Sequence, residues 1–222
     1  MINQFEPNFQ IPYSATTPDS FLQSGNEIPS DTFVVCLNRD GSSASLYGDE
    51  VWNLTAYHHT EEPYKLNFRF WKEGGINPSR HSIMEESRKI MFMLMWMRRG
   101  PSLSVGSLCN YLVIVNKLAR YSDLNKIGLF EVIGNEKKLL KFVDSISSAW
   151  TLQILGSMLP HLTHNLFDLP VVGNGLIQAI KTRGVQLRKD NESQHPPIPT
   201  QIYSTIINEL VDLRSKWDEV AN

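Results

Sequence analysis

Several ingredients are scarce in this sequence, and each scarcity excludes something. There are two cysteines among 222 residues. Cys36 and Cys109 both sit in apolar surroundings, so free buried thiols are expected rather than a disulfide framework. The longest notable apolar run, Ile90 to Met97, falls far short of the ~20 residues that a membrane-spanning helix requires, so no membrane association is expected. Met1-Ile2-Asn3-Gln4-Phe5-Glu6 lacks the basic-then-apolar order of a secretory signal, and a cytoplasmic location is expected. Gly173-Asn174-Gly175 has neither the preceding strand nor the Gly-Lys-Ser of a phosphate-cradling loop. His58-His59 beside Glu61-Glu62 has no further ligand at a metal spacing, and His161 with His164 is a pair without a third member. No metal and no cofactor are expected. Met91, Met93, Met95 and Met97 read as adaptable core filler.

Positive charge is scarce at both ends. Residues 1–50 carry one basic side chain, Arg39, against seven acidic ones, and residues 191–222 carry two against five. Residues 61–190 reverse the balance with 18 basic and 11 acidic. The formal net charge of -2 therefore conceals a basic middle, a pattern that favours an anionic partner for that region. Hydrophobic residues make up 41% and charged residues 20%, which suits a packed core.

The pattern predicts an α+β chain: a small N-terminal antiparallel β module followed by an all-α helical bundle. Residues 1–30, rich in Pro, Ser, Thr, Asn and Gln, read as an extended arm. In the β module, 31–75, Phe33 to Leu37 is a strand and Asn38-Arg39-Asp40-Gly41 a tight turn. Ser45-Leu46-Tyr47 returns as the second strand, and the alternation from Lys65 to Trp71 gives a third. Trp52, Leu54 and Tyr57 are expected to cover one face. Gly74-Gly75 and Pro78 mark a break.

The bundle spans 79–190. Its first helix covers about 79–98, with Ile83, Ile90, Leu94 and Met97 on one stripe, and stops at Gly100-Pro101. Ser102 or Ser104 caps a second helix to about 121, burying Leu108, Leu112, Val115 and Ala119. Asn135 caps a short helix burying Leu139, Phe142, Val143 and Ile146. Ser147 or Ser148 caps another that faces Trp150, Ile154, Met158 and Leu162 inward, with Pro160 forcing a kink or an early end. A helix over 174–188 buries Leu176, Ile177 and Ile180. Asp190 to Pro199, with Pro196, Pro197 and Pro199, reads as a linker. Within 191–222 a last helix follows, capped by Thr200, with an apolar stripe of Tyr203, Ile206, Ile207, Leu210 and Trp217 that needs a partner.

Ser102-Leu103-Ser104 followed by Leu108 and Tyr111-Leu112 resembles the start of a DNA-facing helix in the core-binding domain of tyrosine recombinases of the phage-integrase type. Ser147-Ser148-Ala149-Trp150-Thr151, with Leu155, Met158 and Leu162, is similar to another helix of that domain. Pro197-Ile198-Pro199-Thr200-Gln201-Ile202-Tyr203 is similar to the linker and entry helix that lead to the family's catalytic domain. The resemblance covers about 79–210, and Asp49 to Leu54 looks like the leading domain of some larger integrases. It implies a helical core-binding (SAM-like) domain that closes over one face of duplex DNA during integration of a mobile element. None of the six histidines is followed three places later by the arginine that family chemistry requires. Tyr203 reads as a core residue of the entry helix. No catalytic residue is therefore expected here, and the resemblance implies that the catalytic domain is absent from this sequence.

Double-stranded DNA is the expected partner, with self-association on DNA as a secondary expectation. The residues expected to meet DNA are Arg98 and Arg99; Asn110, Lys117 and Arg120; Ser148, Thr151 and Gln153; and Lys181, Arg183, Arg188 and Lys189. Lys and Arg suit phosphates because each neutralised phosphate releases counterions, and Ser or Thr at helix starts brings backbone N–H groups to them. The alternative is a helical protein-interaction adaptor that binds no nucleic acid, motivated by the acidic arm and the unsatisfied last helix.

Overall fold

The computed structural model describes residues 29–58, 63–97, 103–162, 171–191 and 200–220. Most of the expected arm, the Gly100-Pro101 break and the proline run at 196–199 lie outside the described residues. The chain divides into two compact units, Met1–Arg188 and Lys189–Asn222.

The first unit opens with two antiparallel hairpins rather than the single three-stranded sheet expected. β1 (Val34–Leu37) pairs with β2 (Ser43–Leu46), and β3 (Val51–Asn53) pairs with β4 (Lys65–Asn67). Gly41, with φ of 84°, supplies the turn residue of the first hairpin. The third expected strand keeps its alternation through Phe70, with Leu66, Phe68 and Phe70 buried and Lys65, Asn67 and Arg69 exposed. Its ladder ends early because the Asn67 side chain accepts from Arg69 N at 2.9 Å, a local bond that competes with pairing. β2 and β3 abut without joining. Ser45 Oγ accepts from Asn53 N at 2.8 Å, so a side chain takes the place of a ladder bond.

Among the described residues seven helices follow: α1 (Pro78–Phe92), α2 (Val105–Asn125), α3 (Leu129–Gly134), α4 (Glu136–Asp144), α5 (Ala149–Met158), α6 (Asn174–Asn191) and α7 (Thr200–Val220). The fold is α+β, with a helical core behind a small β entrance. Asn77 caps α1, accepting from Arg80 N at 2.9 Å, and Pro78 sits at its first turn, where a missing N–H costs nothing. α1 continues as a π-helical segment, Met93–Met97, in which Met93, Leu94 and Met95 are buried. Ser104, Asn135 and Ser148 cap α2, α4 and α5 through side-chain acceptance from the N–H three residues on. α5 ends at Met158 and passes into a 3-10 turn holding Pro160.

The hairpins and helices share one core. Phe33, Tyr47 and Trp96 surround Phe92 of α1 with ring centroids 5.7 to 6.0 Å apart, and Trp52 meets Phe68 edge-on at 4.6 Å. Arg88, buried on α1, donates to Gly48 O at 2.8 Å and pairs with Glu85, fastening α1 to the turn after β2. Cys36 is buried and Cys109 half-buried, both free, and burial pushes both thiol pKa values up.

Two details differ from the sequence expectation. α3 has no counterpart in the sequence pattern. α5 also turns a different face inward: Trp150 is 44% exposed, while Thr151, Leu152, Leu155, Gly156 and Met158 are buried. The physical reason is that α5 has neighbours on two flanks. Thr151 faces α2 and Leu152 with Gly156 faces α6, so the core stripe is centred near Leu155 and Trp150 is turned out. No described helix is long and apolar enough to cross a membrane.

In the second unit, α7 is one amphipathic helix. Ile202, Ile206, Ile207, Leu210, Leu213 and Trp217 are all exposed.

Candidate nucleic-acid interface

Helices α2, α5 and α6 of the first unit build one surface, with α5 in the middle. Lys117 of α2 donates Nζ to Thr151 Oγ1 of α5 at 2.6 Å. On the other flank two glycines allow α6 to approach closely. A β-carbon on Gly184 would stand 3.2 Å from Leu152 Cβ, and one on Gly156 would stand 2.8 Å from Lys181 Cγ. The Lys181 stem therefore lies over Gly156 and carries its charge outward, as long basic side chains do when their methylenes cover apolar surface.

Outward positions follow from helical spacing. On α2, Asn110, Val113, Lys117 and Arg120 lie at i, i+3, i+7 and i+10 and form one stripe. Asn110, Val113 and Arg120 are exposed and Lys117 is half-buried. Arg120 Nε donates to Phe70 O at 2.6 Å, which anchors the guanidinium beside the β entrance. On α5, Trp150 and Gln153 point out. On α6, Lys181 and Arg188 are seven residues apart and share a side, both exposed. Arg183 is exposed but lies two residues from Lys181, roughly 200° round the helix.

Acidic residues are sparse in the segments that build this surface, with Asp190 exposed near the end of α6. No Asp or Glu occurs in 103–122, 149–162 or 171–189. Within the first unit the described acidic residues of the helices sit mostly on α1, α3 and α4, where several are already engaged. Asp123, at the far end of α2, accepts from Arg80 Nε at 3.0 Å. Glu131 pairs with Lys138, which holds its carboxyl below the usual range. Glu86 accepts from Leu129 N at 2.6 Å. Lys117 and Arg120 are held by neutral oxygens, so their charge is oriented without being cancelled.

The structure thus brings Asn110, Lys117, Arg120, Gln153, Lys181 and Arg188 onto one face. Ser148 is half-buried and serves as the α5 cap, accepting from Thr151 N at 3.3 Å. Thr151 has no exposed surface, so it makes no direct contact of the expected kind, and its hydroxyl instead positions Lys117. Arg183 lies apart. Lys189 belongs to the second unit, and Arg98 and Arg99 lie outside the described residues. Trp150 joins the face although its sequence reading pointed inward. The spacing Thr151, Leu155, Met158, Leu162 is the signal that turns it outward.

The Gly173-Asn174-Gly175 segment starts α6 and borders an open recess of about 430 Å³ with Ile133, Gly134, Glu136 and Leu176. The Glu136 carboxyl in that recess disfavours a phosphate there. Among the described residues, no group of three His, Cys, Asp or Glu side chains is placed to hold a metal ion. Comparison of the chain with protein-family models, with curated proteins and with solved structures finds no match.

Proposed function

We propose that the chain binds double-stranded DNA on the α2–α5–α6 face and acts as the DNA-holding, non-catalytic part of a tyrosine-recombinase-type system that integrates a mobile element. The observation that carries the reading is the carboxylate-poor surface on which Lys117, Arg120, Lys181 and Arg188 are arrayed around α5. Such a surface suits the phosphate backbone, with Asn110 and Gln153 adding neutral donors. Trp150 offers a flat apolar surface for sugar or an exposed base. The resemblance of the helix order to core-binding domains supplies the recombination part of the proposal.

The test is a duplex titration by fluorescence anisotropy across salt concentration. If the four cations each neutralise one phosphate, log affinity falls against log salt with a slope of about −3.6. Lys181→Ala with Arg188→Ala flattens that slope by about 1.8. Arg183→Ala, from another side of α6, leaves it close to the parent value. Absence of duplex affinity at low salt, or a slope indifferent to the double substitution, refutes the proposal. The adaptor reading favours the exposed apolar residues of α7 instead, and it requires these cationic substitutions to be silent.

A further inference from the structure

The apolar residues of α7 have a second regularity beyond amphipathicity. Ile206, Leu210, Leu213 and Trp217 recur at steps of four, three and four, the spacing of a coiled-coil seam. With Leu210 and Trp217 at a positions and Ile206 and Leu213 at d positions, the flanks are also defined. Ile202 and Glu209 fall at g, and Ile207 and Arg214 fall at e. In parallel pairing the g residue of one helix meets the e residue five places on in its neighbour. Here Ile202 would meet Ile207, and Glu209 would meet Arg214. Both meetings are complementary, apolar with apolar and acid with base. All eight residues are exposed in the chain, with Leu210 at 60% and Trp217 at 75%.

We infer that α7 is a self-association helix whose partner is α7 of a second copy of this chain, paired in parallel. The choice of a second copy rests on this self-complementarity. A helix shaped for an unrelated partner has no reason to match its own flank, whereas α7 matches its own at both g–e positions. Leu at a with Ile at d accommodates more than two strands, so assemblies above the dimer are consistent with the same seam. The inference does not depend on DNA binding, because it concerns the second unit alone.

The experiment is sedimentation velocity on the full chain from low- to high-micromolar concentration, without nucleic acid. The parent chain is expected to associate as concentration rises. Leu210→Asp abolishes association while circular dichroism shows the rest of the chain folded. Glu209→Arg weakens association several-fold by setting like charges face to face, and Glu209→Arg combined with Arg214→Glu restores it. The restored pair is the decisive arm, since only helices that meet each other's flanks are rescued by exchanging the signs. A monomer at every concentration, association that survives Leu210→Asp, or failure of the double charge exchange to restore pairing overturns the inference.

Discussion

Glu86 caps a helix it does not belong to, and its removal has a calculable consequence. α3 begins after Gly128, which offers no side-chain cap. Glu86, on α1, fills that role by accepting from Leu129 N at 2.6 Å and from Phe130 N at 3.4 Å. A charge-assisted bond of this kind contributes about 1.5–3 kcal/mol. Burial of the carboxylate opposes it: desolvation is the leading influence on Glu86 and raises its pKa, outweighing the two backbone donors and Lys89, which lower it. A net loss of about 1–2 kcal/mol for Glu86→Ala follows. At about 2–4 °C per kcal/mol for a unit of this size, Tm falls by about 2–8 °C. In urea, the midpoint drops while the slope m holds. The pH dependence has a fixed sign. A carboxyl with a raised folded pKa keeps more protons in the native state, so its linkage contribution is full below the unfolded carboxylate pKa. That contribution is lost as pH rises through the folded pKa. Glu86→Gln abolishes this decline, so stability relative to the parent improves as pH rises through that window. A Glu86→Ala change below about 0.5 kcal/mol, the scale of an ordinary surface substitution, refutes the capping argument. A parent-minus-Gln difference that grows more favourable with pH refutes the linkage argument.

Two further outcomes probe the α5 joints. Gly184→Val places branched carbon against Leu152, where even a β-carbon has only 3.2 Å. It is expected to cost about 1–3 kcal/mol in urea denaturation and to weaken duplex binding, because Lys181 and Trp150 are displaced together. Thr151→Val keeps the shape but removes the acceptor of Lys117. In a double-mutant cycle with Lys117→Met the coupling is expected near 1 kcal/mol, and duplex binding falls with Lys117→Met while Thr151→Val largely retains it. An uncoupled cycle discards the positioning role of Thr151.

Local chemistry is what made parts of this fold readable. Ser104, Asn135 and Ser148 each announce a helix start because their side chains bond an N–H three residues away. The α2 stripe was equally plain, since Leu108, Leu112, Val115 and Ala119 sit on one helical face and are all buried. α3 was hidden because its cap is Glu86, 43 residues before Leu129, and six residues are too few for a periodicity. The separate hairpins were hidden because the Ser45–Asn53 bond that divides them links side chain to backbone across a turn. Among the site residues, cation type and helix assignment were legible, but the sharing of a face was not. α6, which carries Lys181 and Arg188, is brought against α5 by the close approach that Gly156 and Gly184 permit. Thr151 reads as a surface threonine until α2 is packed against it.

A net charge of -2 is no obstacle to holding a polyanion. At physiological ionic strength charges more than about 8 Å apart are largely screened, so a phosphate responds to its immediate neighbours and hardly to the molecular total. In the first unit Glu85 leans on Arg88, Glu131 on Lys138 and Glu86 on the α3 backbone, and Asp123 leans on Arg80. Their fields are damped at short range by those partners. Lys117 and Arg120 instead rest on a hydroxyl and a carbonyl, which fix direction and leave the positive charge whole. The same number of charges, distributed by pairing rather than by count, therefore leaves a group of uncancelled cations on a chain of negative net charge.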